Sequence, residues 1–356
     1  MSDAVGGARF RPEVHAGAPY RPGRAAPGGS DVVKLSSNEL PGEPVGAAIA
    51  GAAASLAAAQ GYPDPTCGAL RQALAAFHGR RADEVCVGAG SVALLQEATI
   101  ATCSDGRGAV FGGPSFEAYA QLVRLAGARA HVVPNRQDAT LDPDGFVAAA
   151  NIPGVSLVLI ANPNNPTGTA WRVDEVRAVL EGVPDDVLVV LDEAYHEFVT
   201  DAEVPDGAER LGEYPNLVVL RTFSKAWALA GLRVGYAMAA APVIAALDAV
   251  RLPFSVSAPA QAAALAALGE RPAMEAAVAA VIAERTRLVE GLAACGWDVP
   301  DSQANFVWFG VGDGAVALGE RLEAAGILAR VFPGVGVRLS VGTAAATDRI
   351  LTALSE

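Results

Sequence analysis

The 356-residue sequence has only four cysteines, and Cys67, Cys86, Cys103 and Cys295 form neither a CxxC pair nor a cluster with histidine. That scatter excludes a disulfide scaffold and a thiolate zinc site, so no metal centre is expected and a reducing, cytoplasmic location is. Basic residues are in short supply: 26 Lys and Arg stand against 39 Asp and Glu, for a net charge of −13. An acidic surface repels nucleic acid and anionic membrane, which leaves small molecules as the expected partners. The N-terminus lacks a basic start followed by an apolar stretch, and it lacks a small-residue cleavage pattern, so no secretory signal is expected. Uncharged stretches such as Val45 to Ala59 are Ala and Gly rather than Leu and Ile, with little transfer energy; they read as packed helices rather than membrane spans.

What is present suits a compact chain with many turns: 52% hydrophobic residues, 18% charged, Gly 38 and Pro 23. The length exceeds one minimal core and accommodates a large domain with a smaller companion. Residues 1–32 hold several Gly and Pro without a sustained period and read as an extended N-terminal arm lying on the rest of the molecule. Between Val85 and Tyr236, short apolar runs (Val85 to Val87, Ala109 to Phe111, His131 to Val133, Leu157 to Ile160, Val187 to Leu191, Leu217 to Leu220) alternate with helical patterns. This alternation predicts an α/β fold, a mainly parallel sheet with helices on both faces, over residues 33–250. Residues 251–356 open with an Ala-rich helical region, then show strand-like runs at Asn305 to Phe309 and Val337 to Val341; they read as a smaller α+β domain.

The polar residues that end the apolar runs carry the chemistry, because ligands of open α/β sheets sit beyond the carboxyl ends of the strands. Arg221-Thr222-Phe223-Ser224-Lys225 follows one such run, with Arg233 eight residues after the lysine. A lysine there can join a carbonyl cofactor while hydroxyls and an arginine hold a phosphate; a lone lysine is ordinarily a solvated surface group, and the surrounding residues argue otherwise. Val187 to Leu191 ends in Asp192-Glu193-Ala194-Tyr195. A buried carboxylate is costly unless it meets a cation such as a protonated pyridine nitrogen, and Tyr195 can donate to an oxygen on the same ring. The alternative makes Asp192 a helix N-cap and Tyr195 a core aromatic. Asn162-Pro163-Asn164-Asn165-Pro166-Thr167-Gly168 is a rigid turn able to aim Asn165, though such a turn is common. Gly88-Ala89-Gly90-Ser91-Val92 enters a helix and suits a phosphate, but it lacks GxGxxG and GK[ST]. Phe116 can stack on a planar ring or fill the core.

Together, in this order, these motifs resemble the fold type I aminotransferases that use pyridoxal 5'-phosphate, and more narrowly the histidinol-phosphate aminotransferase group. The resemblance runs from Tyr20 through Asn38-Glu39, Tyr62-Pro63-Asp64 and the motifs above to Val337-Arg338-Leu339-Ser340-Val341. It implies that Lys225 forms the Schiff base with the cofactor, that Asp192 pairs with the pyridine nitrogen, and that Tyr195 and Asn165 bond the ring oxygen. It further implies that Phe116 stacks on the ring and that Gly90, Ser91, Thr222, Ser224 and Arg233 cradle the phosphate. Tyr62 corresponds to a tyrosine supplied by a partner subunit, which implies a homodimer with shared sites. Arg338 corresponds to the arginine that grips the substrate carboxylate, with Asn38 close by, while Tyr20 and Arg330 correspond to contacts at the substrate's distal end.

Within the group, Gly88 to Val92, Ser115-Phe116-Glu117 and Ser302 to Trp308 resemble the aromatic amino acid aminotransferase branch, which implies exchange of an amino group between phenylalanine or tyrosine and 2-oxoglutarate. Arg330 would also suit a phosphate or a second carboxylate, which keeps histidinol phosphate as an alternative donor. Leu40 to Pro44, near the substrate entrance, is shorter than in relatives. Decarboxylases of the same fold are a lesser alternative, separated by carbon dioxide release. Regulators with an aminotransferase-like domain carry an added DNA-binding domain, for which no room is expected before Tyr20.

Overall fold

The computed structural model describes residues 11–16, 31–103 and 106–355. Tyr20, and with it most of the 1–32 arm, lies outside the described residues. The strands are β1 (Val33–Lys34), β2 (Val85–Gly88), β3 (Gly108–Gly113), β4 (Arg129–Pro134), β5 (Val155–Ala161), β6 (Leu188–Asp192), β7 (Leu217–Thr222), β8 (Gly235–Ala239), β9 (Phe306–Phe309), β10 (Ile327–Leu328), β11 (Arg330–Phe332) and β12 (Gly336–Ser340).

A seven-stranded sheet in the order β2-β8-β7-β6-β5-β3-β4 forms the centre. It is parallel except for β8, which runs antiparallel to both β2 and β7. The predicted mainly parallel α/β sheet is thus the observed one. Side chains alternate across it with the period of a strand. Leu157 and Leu159 face one apolar layer, with Leu94, Tyr119 and Leu247 of the helices Ser91–Cys103, Ala118–Leu125 and Ala241–Val250. Val158 and Ile160 face the other, with Leu74, Phe146 and Val179 of the helices Gly68–Phe77, Pro143–Ala150 and Val173–Gly182. Each fully buried Leu, Ile or Val contributes about 1.5–3 kcal/mol, so two-sided burial is why these strands read as continuous apolar runs.

Strand β8 was hidden from pattern reading because Gly235-Tyr236-Ala237-Met238-Ala239 is poor in β-formers. Its two neighbours supply hydrogen bonds on both sides, and tertiary context outweighs propensity. Its glycine has a steric cause: a Cβ on Gly235 would lie 2.6 Å from the backbone nitrogen of Ser91.

After β8 come the helices Ala241–Val250, Ala258–Leu268 and Arg271–Ala294, then the antiparallel sheet β11-β12-β9. Strand β1 pairs in parallel with β10, and Leu35 accepts from the backbone N–H of Ser340, so the chain from Val33 is bonded to this C-terminal unit. Helix Gly46–Ser55 packs closely on Ala258–Leu268: a Cβ on Gly51 would come within 3.0 Å of the Ala262 carbonyl oxygen. Among the described residues no helix is long and apolar enough to cross a membrane.

Strands β5, β6 and β7 run in one direction, with Ala161 opposite Asp192 and Asp192 opposite Leu220. Their carboxyl ends therefore deliver the 162–168 turn, the 192–195 segment and the 222–225 segment to one edge of the sheet.

Candidate active site

A cavity of about 260 Å³ opens at that edge. Lys225, Asp192, Tyr195 and Asn165 line it. Strand alternation separates each polar residue from its neighbour: Asp192 and Thr222 face the cavity, while Glu193 and Arg221 turn to the opposite face and pair there.

The Lys225 Nζ donates to the carbonyl oxygens of Ser37 and Asn38, at 3.1 and 3.2 Å. Burial, and then the nearby guanidinium of Arg338, pull its pKa down to about 7, against the opposing pull of Glu39 and Asp192. The amine is thus available as a free base near neutral pH. Asp192, 6% exposed, accepts from the hydroxyl of Tyr119 at 2.9 Å and from the backbone N–H of Ala194 at 3.3 Å. Burial pushes its pKa up to about 6, with the Tyr119 bond working the other way. It caps no α-helix; the next helical element is the 3-10 turn His196–Phe198, which removes the N-cap alternative. The Tyr195 hydroxyl accepts from Asn38 Nδ2 at 3.0 Å, and its ring meets Phe306 edge-on at 5.0 Å.

The turn that carries Asn165 is held internally: Asn162 receives the Trp171 N–H at 2.7 Å, and Asn164 donates to Thr167 at 2.9 Å. Asn165 Oδ1 accepts from Arg338, which also donates to the Ser36 carbonyl at 2.7 Å and lies over the Phe306 ring.

At the other end, the N-terminus of the 13-residue helix Ser91–Cys103 meets Ser224, Thr222 and Arg233. Gly90 has φ +79°, and any Cβ there would collide with the Arg233 guanidinium. Arg233 donates to the Ser224 hydroxyl at 3.4 Å. Free N–H groups, two hydroxyls and a guanidinium around one point make an anion cradle. Phe116 borders the cavity between the two ends.

Arg330 enters beside Arg338 and is held by Glu117 through three contacts of 2.6 to 3.1 Å. Tyr62 is not in its own chain's cavity; it is 84% exposed and stacks on Phe254 at 4.7 Å. Pattern reading missed Tyr119, although it stands three residues after Phe116, a spacing that puts both on one side of a turn. It also missed the buried pair behind the site.

In that pair Arg221 donates to Glu193 at 2.8 and 3.0 Å and to Asp206 at 2.6 Å, and Gly207 donates to Glu193 at 2.7 Å. Burial raises the Glu193 pKa and the guanidinium lowers it; because arginine keeps its proton, the pair is ionic. Glu193, His196 and Asp206 bring ligand atoms within 4.8 Å of one another, and both carboxylates already accept from Arg221. Arg221→Ala strands two carboxylates and is expected to cost about 3–5 kcal/mol. Urea unfolding checks this, and a loss under 1 kcal/mol contradicts it.

The sequence profile "Aminotransferase class I and II" matches residues 30–354. The chain belongs to that aminotransferase family. Aromatic amino acid aminotransferase from Nocardia farcinica is 47% identical over 94% of this chain and 93% of its own. The protein of that name from Streptomyces coelicolor is 43% identical over 98% and 97%. Among solved structures, histidinol-phosphate aminotransferase from Sinorhizobium meliloti in complex with pyridoxal-5'-phosphate superposes with a TM-score of 0.89, at 29% identity, covering 100% of this chain and 98% of that one. The aminotransferase fold is therefore the type I fold, and the cavity lies at the carboxyl edge of its parallel strands.

Proposed function

We propose that the protein is a pyridoxal 5'-phosphate-dependent aminotransferase that moves an amino group between an aromatic amino acid and 2-oxoglutarate. The observation that carries this reading is that Lys225 and Asp192 enter the same cavity, one as an amine drawn to about pKa 7 and the other as a buried carboxylate without a cationic hydrogen-bond partner. The donor set fits the cofactor: an anion cradle for its phosphate and a carboxylate for its ring nitrogen.

Bound there, the cofactor supplies a carbonyl that condenses with amines and a ring that accepts the electron pair left by a departing α proton. Arg233, Ser91, Thr222 and Ser224, with the backbone at Gly90, would hold the phosphate. Asp192, oriented by Tyr119, would keep the ring nitrogen protonated, Asn165 and Tyr195 would bond the ring oxygen, and Phe116 would stack on the ring. Arg338 binds the substrate carboxylate as a bidentate fork beside Asn38. The Nζ of Lys225 would be the base that removes the α proton and returns it one carbon away.

The aromatic donor follows from the names of the relatives and from Arg330, which a phosphate donor would need and which Glu117 already holds. We also propose a cytoplasmic homodimer built on domains 33–250 and 251–356. Its support is the exposed apolar surface around Tyr62, Phe254 and Leu252, from which Tyr62 would enter the partner's site. Purified protein with cofactor is expected to convert phenylalanine or tyrosine to the keto acid with 2-oxoglutarate; turnover of histidinol phosphate alone contradicts the aromatic assignment.

The lysine also sets a pH dependence. A group whose pKa is lowered to about 7 is protonated below that pH and nucleophilic above it. Cofactor uptake by the apoprotein, followed by absorbance, is expected to accelerate through pH ~7 and level off above ~8. A rise that continues to pH ~10, the range of an ordinary lysine, contradicts the burial of Lys225.

A further inference from the structure

We infer that Glu117 sets side-chain specificity by occupying Arg330, so that an amino acid with a second anionic group must displace it. This rests on the aminotransferase reading above. Arg330 and Arg338 are direct cross-strand partners on β11 and β12, and both side chains reach the cavity. Like charges placed opposite are unfavourable, and something must compensate. The two arginines are treated differently. Arg338 is bonded to the neutral oxygens of Asn165 and Ser36. Arg330 lies over Phe332 at 5.6 Å and meets both oxygens of Glu117. The pair is electrically neutral, so it presents an uncharged wall to the rest of the substrate.

Glu117 is tethered directly after Phe116 and always competes for Arg330, whereas a substrate carboxylate or phosphate must arrive from solution. The Arg330 side chain is 13% exposed and that of Glu117 40%, so the pair stands at the cavity mouth and solvent screens it. The discrimination is therefore about tenfold and not thousandfold. Uncharged aromatic side chains leave the pair intact. The distal carboxylate of 2-oxoglutarate has to open it, which raises the KM of the dicarboxylic acceptor.

The test is the donor half-reaction of the holoenzyme with phenylalanine and with glutamate, which share the same α-carbon groups and differ by one distal charge. In Glu117→Gln the ratio of kcat/KM for glutamate to that for phenylalanine is expected to rise ~10-fold, through KM and not kcat, and the KM for 2-oxoglutarate to fall in parallel. Adding Arg330→Gln should remove both gains. If Glu117→Gln loses the cofactor, Glu117→Asp, whose shorter side chain weakens the double contact, must shift the ratio the same way. A wild-type preference for phenylalanine that is unchanged in these variants overturns the inference alone. A wild type that reacts with glutamate and not with phenylalanine overturns the aromatic reading and the inference together.

Discussion

Lys225→Ala is expected to lower kcat by at least ~10⁴-fold while leaving a folded protein that still binds pyridoxal 5'-phosphate through the cradle around Arg233. A positioned general base alone contributes ~10²–10⁴-fold, and this side chain is proposed as both the covalent anchor and the base that moves the α proton. No neighbour replaces it. The sequence has only two lysines, and the other, Lys34, is engaged with Glu39 at 2.8 Å. Added alkylamine is expected to restore part of the rate, because it supplies a base that fits the space vacated by the lysine. Turnover of the alanine variant within tenfold of wild type contradicts the assigned role.

Asp192→Asn is expected to lower kcat by ~10²–10³-fold at unchanged cofactor content, the usual effect of losing one preorganised electrostatic group. The amide keeps the volume and a bond to Tyr119 but loses the charge opposite the ring nitrogen. Tyr119→Phe provides a graded control. Its hydroxyl lowers the Asp192 pKa against burial, so its loss raises a value already near 6. The acidic limb of the rate profile should then move to higher pH, with a smaller loss at pH 8 than Asp192→Asn shows. Equal rates for Asp192→Asn and wild type, measured by single-turnover absorbance, remove the carboxylate from the mechanism.

The sheet was legible where burial on both faces forces apolar runs, as at Leu157 to Ile160 and Leu217 to Leu220. It was illegible at β8, a strand made largely of Ala and Gly, where the Ser91 backbone leaves no room for a side chain at Gly235. The same logic applies to the site. Asp192 and Lys225 stood out as polar residues ending apolar strands, with the hydroxyls of Thr222 and Ser224 flanking the lysine. The contacts between distant positions did not stand out: Asn38 on Tyr195, Tyr119 on Asp192 and Glu117 on Arg330 span 157, 73 and 213 residues. No local pattern encodes them; the parallel crossovers and the return of β11 and β12 over the sheet edge create them. Arg330 shows the consequence. As an isolated arginine it suited a phosphate or a second carboxylate, and only the folded chain reveals the acid that holds it.

The central claim is that one buried amine, and no other, reacts with the cofactor. Borohydride reduction of the holoprotein followed by peptide mass mapping tests it directly, since the chain offers two lysines to choose between. The pyridoxyl mass is expected on the peptide containing Lys225, with the Lys34 peptide unlabelled. A label on Lys34, or none on either, contradicts it.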